Sequence, residues 1–434
     1  MTEATLSFAQ AHRYDDTQKL LLQAARYPDI DMPAAVTQIE GRRAAEQKLP
    51  SWAANDRLLF PPRLSMEQCS SEATARYKAA IAHRIAAEQR SRNASLLATA
   101  AAQPSTGASP LVMADLTGGF GVDFSFLSPA FDRSIYIEQN AALCETARHN
   151  FAVLGLQNAE CMNGDSLRLL PSLPPLTLLY LDPARRSQTG RKVVALSDCE
   201  PNVPQCLELL LQKSASILLK CSPMLDISVA LSELRQVAEI HVVSVRNECK
   251  ELLFLLRGTV GVNAAVPSEV LPSPSEPRCY CCDIDAQGVA HTFSYTLDEE
   301  RAAVCTYTND ICRWLYEPSA ALLKAGCRRL PAQRYGLQKL HPDSHLYTSD
   351  TLCTDFPGRI FEVEAESGFG KQELKTLLAD VPKGNLTLRN FPESTEALRR
   401  RLRLAEGGDL YFFATTVKNG SHRLIRCHKV QDKA

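Results

Sequence analysis

The sequence predicts an α/β protein with a largely parallel sheet in its middle part, between a helical N-terminal region and an α+β C-terminal region. Three observations lead to this fold class. From residue 111 to residue 260, short apolar runs alternate with helical patterns, which is the order of strands and helices in a parallel sheet. Residues 1 to about 100 are rich in good helix formers such as Ala, Arg, Glu and Gln. The last part of the chain follows the order strand, helix, strand, helix, strand, strand.

Length and composition restrict the class of protein. A chain of 434 residues predicts several domains, and a net charge of −1 means that local basic patches would have to bind any nucleic acid. The 15 cysteines are scattered through apolar runs, which favours a reducing compartment over a disulfide framework. The first residues lack the features of a signal peptide, and the apolar runs are too short to cross a bilayer. We therefore expect a cytoplasmic protein without a membrane partner.

Residues 1–102 are expected to form an N-terminal helical domain. "SEATARYKAAIAHRIAAEQRSRNASLLATAAA" favours a long helix, with Ser70 or Ser71 as its N-cap and Glu72 in its first turn. The preceding segment, "LPSWAANDRLLFPPRLSMEQ", is interrupted by prolines and is expected to loop over the surface. "QPSTGASP" at residues 103–110 has the composition of a linker.

The middle region, residues 103–262, contains a glycine loop between its first strand and the next helix. In "MADLTGGFGVD", Asp115 ends the strand, and Gly119 and Gly121 let a ligand approach the backbone closely. Thr117 stands where nucleotide-binding fingerprints have their first glycine. The loop alone leaves two ligands open, a dinucleotide whose pyrophosphate meets the helix N-terminus and S-adenosylmethionine.

Acidic residues at the ends of successive strands favour S-adenosylmethionine. Asp115 can meet the ammonium group of this cofactor, whereas it would repel a pyrophosphate. Glu138 ends the second strand and can accept the ribose hydroxyls, a position that NAD enzymes also use. Asp165 follows the third strand, where an acid can bind the adenine amino group, and Asp182 follows the fourth. Ligands bind at the carboxyl edge of such a sheet, so we expect one cofactor site there. The expected cofactor-binding residues are Asp115, Leu116, Thr117, Gly119, Phe120, Gly121, Glu138, Gln139, Asp165 and Ser166.

Residues 111–260 resemble the class I S-adenosylmethionine-dependent methyltransferases. The glycine motif of that family is Asp/Glu-x-Gly-x-Gly-x-Gly, which Asp115, Gly119 and Gly121 match and from which Thr117 departs. The resemblance implies a Rossmann-like sheet and S-adenosylmethionine as the cofactor. It also implies an enzyme, because the family transfers methyl groups.

The catalytic tetrapeptide of that family, Asp/Asn-Pro-Pro-aromatic, corresponds here to Asp182-Pro183-Ala184-Arg185. In its usual form the acid and the proline carbonyl accept hydrogen bonds from an exocyclic amine, and the aromatic ring stacks on the flipped base. Asp182 and Pro183 keep these acceptors, and the plane of Arg185 can stack on a base or pair with a phosphate. The resemblance thus implies catalytic roles for these three residues and methylation of a base amino group, such as guanine N2.

The whole chain resembles a bacterial family with a helical segment, a methyltransferase domain, a small ferredoxin-like domain and a THUMP-like C-terminal domain. "LSMEQCSSEATARYKA", "WLYEPSAALLKAG" and "LRNFPESTEALRRRLRLAEGGDLYFFATT" carry this resemblance. It implies a ferredoxin-like domain at residues 276–325 and a THUMP-like domain at residues 326–434. THUMP domains deliver RNA to an attached catalytic domain, so the resemblance also implies an rRNA or tRNA substrate.

Two basic clusters suit contacts with RNA phosphates. One cluster follows the catalytic strand, and the other surrounds a short C-terminal helix. For any single arginine of that helix, a position on a solvated helix face is a better interpretation than a contact with RNA. The expected RNA-binding residues are Arg186, Arg191, Lys192, Arg389, Arg399, Arg400 and Arg401. "CYCC" at residues 279–282 lacks the spacing of a zinc site, so no metal is expected.

Other functions stay open at this point. The fold could methylate a protein or a small molecule, with the C-terminal basic helix being only structural. Alternatively, the chain could be a non-catalytic RNA-binding protein that retains a cofactor pocket, because Ala184 and Arg185 depart from the catalytic motif. An NAD oxidoreductase is disfavoured by Asp115, which is badly placed for a pyrophosphate. The sequence leaves open the RNA species, the methylated atom and the oligomeric state.

Overall fold

The computed structural model describes residues 1–99, 109–185, 195–258, 276–379 and 381–430. The chain divides into two compact units, one of residues 1–239 and 251–275 and the other of residues 240–250 and 276–434. The predicted helical segment and the predicted α/β segment therefore belong to one unit. No helix in the described part of the chain is long and apolar enough to cross a membrane.

The first unit begins with helices, as the composition predicted. The long helix expected after Ser71 is confirmed as α6, and aspartate side chains cap the starts of α2 and α3 by accepting backbone N–H groups. The six helices are α1 (Glu3–Ala11), α2 (Thr17–Leu22), α3 (Met32–Lys48), α4 (Pro50–Ala53), α5 (Arg63–Gln68) and α6 (Glu72–Thr99).

The expectation that residues 49–68 loop over the surface is wrong. Pro50 opens α4 instead of breaking structure, because proline is compatible with the first turn of a helix. Trp52 and Phe60 are each only 2% exposed, and they share a hydrophobic cluster with Phe120 of the glycine loop. The segment therefore forms part of the core beside that loop.

The sheet of the first unit is the Rossmann-like sheet that the sequence predicted. Within the first unit its strand order is β9-β7-β4-β1-β2-β3, in which β1 to β4 and β7 run parallel and β9 is antiparallel to β7. The strands of this region are β1 (Val112–Asp115), β2 (Arg133–Glu138), β3 (Ala159–Asn163), β4 (Leu176–Leu181), β5 (Ala184–Arg185), β6 (Cys199–Glu200), β7 (Ser214–Cys221), β8 (Val237–Val245) and β9 (Glu248–Arg257). The helices between them are α7 (Val122–Leu127), α8 (Ala141–Val153), α9 (Ser166–Leu169), α10 (Val203–Lys213) and α11 (Ile227–Glu233).

This topology brings the ends of the parallel strands to one edge. Every residue of β1 and of β4 is buried, as expected for strands that are covered on both faces. The polar residues that end or follow these strands therefore meet at the carboxyl edge, where α/β sheets bind their ligands.

The second unit has its own sheet of seven strands, in the order β13-β14-β12-β15-β18-β17-β16. The predicted order strand, helix, strand, helix, strand, strand is confirmed from residue 358 onwards. Its elements are β10 (Arg278–Ile284), β11 (Ala290–Thr296), α12 (Leu297–Ala302), β12 (Trp314–Pro318), α13 (Ala320–Ala325), α14 (Leu330–Tyr335), β13 (Gln338–Lys339), β14 (Tyr347–Ser349), β15 (Gly358–Ser367), α15 (Lys371–Leu377), β16 (Asn385–Arg389), α16 (Thr395–Leu402), β17 (Leu410–Thr416) and β18 (His422–Lys429).

Candidate active site

The glycine loop that follows β1 is fixed against β2. The N–H of Gly118 donates to the carbonyl of Ile137 at 2.9 Å, and a Cβ on Gly118 would lie 2.4 Å from the ring of Tyr136. Gly119 and Gly121 have φ values of 57° and 83°, in the left-handed region that favours glycine. Close packing and backbone conformation thus require glycine at these three positions.

Asp115 ends β1 and is only 1% exposed. Its Oδ1 accepts the N–H of Thr117 at 2.9 Å. Burial, supported by the nearby charges of Asp123 and Asp182, raises the pKa of Asp115 to about 8. A cation beside this carboxyl group would favour its ionised form. The environment of Asp115 therefore fits the ammonium group of S-adenosylmethionine.

Glu138 connects the end of β2 to the glycine loop. Its carboxylate accepts the N–H groups of Gly119 and Asn140, each at 2.7 Å. A carboxylate has about four lone-pair positions, so these two contacts leave capacity for ribose hydroxyls. The amide of Asn163 donates to the carbonyls of Glu138 and Gln139, which orders the backbone of the predicted ribose-binding turn.

Asp165 lies after β3 and caps helix α9. Its Oδ1 accepts the N–H groups of Leu167 at 2.9 Å and Arg168 at 3.2 Å. The carboxylate is 44% exposed, whereas Ser166 beside it is buried. Asp165 can therefore both hold the start of α9 and present an oxygen to an adenine amino group.

Asp182 is held at two points. Its backbone N–H donates to Oγ1 of Thr117 at 2.6 Å, and that hydroxyl lies 3.3 Å from Oδ1 of Asp115. Nζ of Lys220 donates to Oδ2 of Asp182 at 2.5 Å. Thr117, which replaces a family glycine, therefore links the two acids of the site.

Sequence reasoning missed Lys220. It is the next-to-last residue of β7, and the available signal was a lysine inside the apolar run "SILLKCSP". Burial would lower the pKa of Lys220, but the charges of Asp182, Asp123 and Glu251 outweigh burial and raise it. Lys220 is therefore an ammonium group at neutral pH.

A second buried lysine lies behind the site. Lys78 of α6 is 0% exposed; its Nζ donates to Oε1 of Glu251 at 2.7 Å and lies 3.2 Å from Oδ1 of Asp123. Burial would raise the pKa of Asp123, but the ammonium groups of Lys78 and Lys220 outweigh it and lower this pKa. The hydroxyl groups of Ser70 and Tyr180 also donate to Asp123, at 2.7 and 2.6 Å.

Two predicted cofactor-binding side chains are buried in the core. The ring of Phe120 packs edge-on against Trp52 at a centroid distance of 4.9 Å, and only 4% of the residue is exposed. Leu116 is 3% exposed, and its N–H donates to the carbonyl of Tyr180 at 3.1 Å. The side chains of Leu116 and Phe120 thus anchor the loop in the core and are not accessible to a ligand.

The segment after Asp182 forms a small ladder, in which Ala184 pairs with Glu200 and Arg185 with Cys199. The backbone of Arg185 therefore continues directly from the candidate catalytic acid. Arg186, Arg191 and Lys192 lie outside the described residues.

The predicted RNA-binding arginines of the second unit differ in their surroundings. Arg389 forms an ion pair at 2.8 Å with Glu317, which is buried, and Arg399 donates to the carbonyl of Gly384 at 3.2 Å. Arg400 and Arg401 are exposed on α16, although Arg401 also forms an ion pair with Glu393 and lies over the ring of Phe369. The first two side chains therefore serve the fold, and the last two are the more accessible ones for a partner.

In the described part of the chain, no group of three or more His, Cys, Asp or Glu side chains is arranged to hold a metal ion. All fifteen cysteines are free thiols. Burial raises the pKa of the Cys221 thiol beside the site well above its usual value. This thiol is therefore uncharged at neutral pH.

Two domain families match the C-terminal part of the chain. Residues 314–357 match a ferredoxin-like domain, and residues 358–429 match a THUMP domain-like family. The matched boundary, between residues 357 and 358, lies after the boundary that was predicted at residues 325 and 326.

Known proteins are similar to this chain over most of its length. Two uncharacterized S-adenosylmethionine-dependent methyltransferases of Mycobacterium tuberculosis, from strains CDC 1551 and H37Rv, are each 25% identical over 315 residues. Each match covers 71% of this chain and 78% of the relative. A crystal structure of a protein from Porphyromonas gingivalis W83, assigned as a methyltransferase, is 34% identical with a TM-score of 0.80. That match covers 99% of this chain and 98% of the other. The chain therefore belongs to the same family as the P. gingivalis protein, and it is an S-adenosylmethionine-dependent methyltransferase with a THUMP-like domain.

Proposed function

We propose that this protein methylates RNA, either rRNA or tRNA, at a nitrogen that Asp182 orients. The observation that carries this proposal is the position of Asp182, whose backbone N–H is bound to Thr117 of the cofactor loop at 2.6 Å. A hydrogen-bond acceptor for the substrate thus lies directly beside the predicted cofactor site. The THUMP-like domain in the same chain supports RNA as the substrate class.

The chemistry depends on alignment. When bound, S-adenosylmethionine supplies an activated methyl group at its sulfonium centre. Asp182 and the carbonyl of Pro183 accept hydrogen bonds from an amino group and so direct its lone pair. Because such a transfer mainly requires correct orientation, the site needs no strong base. An exocyclic amine of a base, such as guanine N2, fits these acceptors.

The cofactor is held by residues that end the parallel strands. Asp115 takes the ammonium group, Glu138 takes the ribose hydroxyls, and Asp165 takes the adenine amino group. The turn residues Gln139 and Ser166, and the backbone of residues 116–121, complete this set.

The second candidate is methylation of an amine on a protein or a small molecule. The carboxylates of Glu138 and Asp165 lie at this edge without an opposing basic cluster among the described residues of the turns, which favours a positively charged acceptor molecule over the phosphates of RNA. RNA phosphates would therefore have to be bound by basic residues elsewhere in the chain, for example by Arg400 and Arg401.

Transfer of a labelled methyl group distinguishes these functions. Full-length protein is incubated with labelled S-adenosylmethionine and, separately, with total bacterial RNA, total protein or a small-molecule extract. We expect label in RNA, and we expect Asp182→Ala to reduce it roughly a hundredfold because the amine loses its acceptor and its alignment. Asp298→Ala is the matched control, since Asp298 is 72% exposed and lies in the second unit.

Label that appears only in protein or in small molecules would favour the second candidate. Cofactor binding without label in any acceptor would indicate a non-catalytic RNA-binding protein. Nucleoside analysis of labelled RNA would identify the methylated base and atom.

A further inference from the structure

We propose that Lys220 is a positioning residue that holds the carboxylate of Asp182 toward the methyl acceptor. The inference rests on the proposed function, in which Asp182 orients the acceptor. It adds a residue that neither the glycine motif nor the tetrapeptide contains. It also assigns a functional purpose to the buried charges behind the site.

The register of the sheet places Lys220 beside Asp182. Leu219 of β7 pairs with Leu181 of β4, so the residues that follow these two lie next to each other at the carboxyl edge. Nζ of Lys220 is 2.5 Å from Oδ2 of Asp182. The lysine side chain is 12% exposed and the aspartate side chain 37% exposed. The ammonium group thus holds the carboxylate from the protein side and leaves it accessible at the edge.

Lys220 belongs to a row of alternating charges, which consists of Glu251, Lys78, Asp123, Lys220 and Asp182. Four of these side chains are at most 12% exposed, and only Asp182 is accessible. Buried charges destabilise a protein unless partners compensate them, so the members of the row support one another. The row ends at the carboxylate that would face the acceptor.

The charge of Lys220 has a consequence for the acceptor site. An ammonium group at hydrogen-bond distance donates a charge-assisted hydrogen bond to a carboxylate and fixes its orientation. Without this hydrogen bond, the carboxylate of Asp182 could rotate away from the acceptor. Lys220 therefore affects methyl transfer through Asp182, without contact with the substrate.

Lys220→Met removes the charge and keeps most of the side-chain volume, whereas Lys220→Arg keeps the charge. Lys213→Met is the matched control, because Lys213 ends α10 and its ammonium group donates to the carbonyl of Pro171 at 3.0 Å. The variants are compared in methyl transfer to the acceptor fraction that the wild-type protein labels. Binding of S-adenosylhomocysteine by calorimetry reports on the cofactor site independently.

We expect Lys220→Met to reduce kcat roughly tenfold or more, with little change in the KM for S-adenosylmethionine. Lys220→Arg should restore part of kcat, because it keeps a cation beside Asp182. An unchanged kcat in Lys220→Met would overturn the proposal, as would an equal loss of S-adenosylhomocysteine binding.

A measurement without any acceptor separates this inference from the proposed function. Melting temperatures of wild type, Lys220→Met, Asp182→Asn and the double variant give the coupling between the two residues. We expect the double variant to be more stable than Lys220→Met, because Asp182→Asn removes the carboxylate left without a cation. Additive effects of the two substitutions on the melting temperature would overturn the proposed coupling between Lys220 and Asp182. If no acceptor is labelled by the wild type, the proposed function fails, and this coupling still decides whether Lys220 holds Asp182.

Discussion

At the scale of single residues, the charge of Asp115 depends on its burial. The pKa of about 8 in the folded protein lies above the value of about 3.9 for an unfolded aspartate. Between these values the folded state binds more protons than the unfolded state, so stability falls as pH rises from about 4 to about 8. The contribution of Asp115 to the stability of the ligand-free protein is therefore lowest above about pH 8, where its side chain is an ionised carboxylate that can bind a cation.

Asp115→Asn should stabilise the ligand-free protein at high pH. The asparagine carbonyl can still accept the N–H of Thr117, and no charge has to be buried. We expect the gain in melting temperature over wild type to increase from about pH 4 to about pH 8 and then to remain constant. Melting curves across this range check the prediction, and a gain independent of pH would contradict it.

We expect the hydroxyl group of Thr117 to contribute to the stability of the protein. Thr117→Gly restores the family glycine but removes the acceptor of the Asp182 N–H, which we expect to cost about 1–3 kcal/mol. Thr117→Ser keeps the hydroxyl and should lose much less. Chemical denaturation of the three proteins measures this difference. A glycine variant as stable as the wild type would show that the hydroxyl has no such role.

The sequence predicted the acids of the site because parallel strands end at a shared edge. The contacts between the side chains could not be predicted, because they join residues far apart in the chain. Lys220 and Asp182 are 38 positions apart, and Lys78 and Glu251 are 173 apart. Such pairs depend on strand order and on the packing of α6, neither of which has a local pattern.

At the scale of structural elements, the helices of residues 1–99 support the glycine loop. Local periodicity was sufficient to predict α6 and the C-terminal order of strands and helices. It failed for residues 49–68, where the prolines and the lack of a clear period hid two short helices. The aromatic side chains of that segment pack against the loop, a tertiary contact that composition cannot indicate.

Trp52→Ala should therefore weaken cofactor binding, although Trp52 lies outside the cofactor site. Loss of a buried tryptophan costs about 3–5 kcal/mol, and Phe120 would lose its edge-on partner. We expect weaker binding of S-adenosylhomocysteine, measured by calorimetry on folded protein. Trp314→Ala, in β12 of the second unit, is the matched control and should bind as the wild type does. Equal affinities of all three proteins for S-adenosylhomocysteine would show that the N-terminal helices do not support the glycine loop.

At the scale of the whole molecule, one chain combines a methyltransferase unit with a THUMP-like domain. The net charge of −1 provides no general attraction for RNA, so binding has to depend on local arginines. Of the predicted arginines in the second unit, Arg400 and Arg401 are more exposed than Arg389 and Arg399, which bind Glu317 and the carbonyl of Gly384. Arg401 also forms an ion pair with Glu393.

Neutralising Arg400 and Arg401 should make RNA binding less sensitive to salt. Each lost phosphate contact reduces the slope of log K against log salt by about 0.7 for a single strand. The double change to glutamine should therefore reduce the slope by about 1.4. Arg63→Gln is the control, because Arg63 is 82% exposed on α5 of the first unit. An unchanged slope in the double variant would exclude α16 from the RNA-binding surface.

If Asp115 binds the ammonium group of S-adenosylmethionine, as we propose, its carboxyl group should release a proton when the cofactor binds. Calorimetry at about pH 6.5 in two buffers of different ionisation enthalpy counts the protons, since Asp115 is protonated there before binding. We expect the wild type to release about one proton, and we expect Asp115→Asn to bind roughly tenfold more weakly without proton release. Equal affinity of the two proteins, or binding without proton release by the wild type, would contradict it.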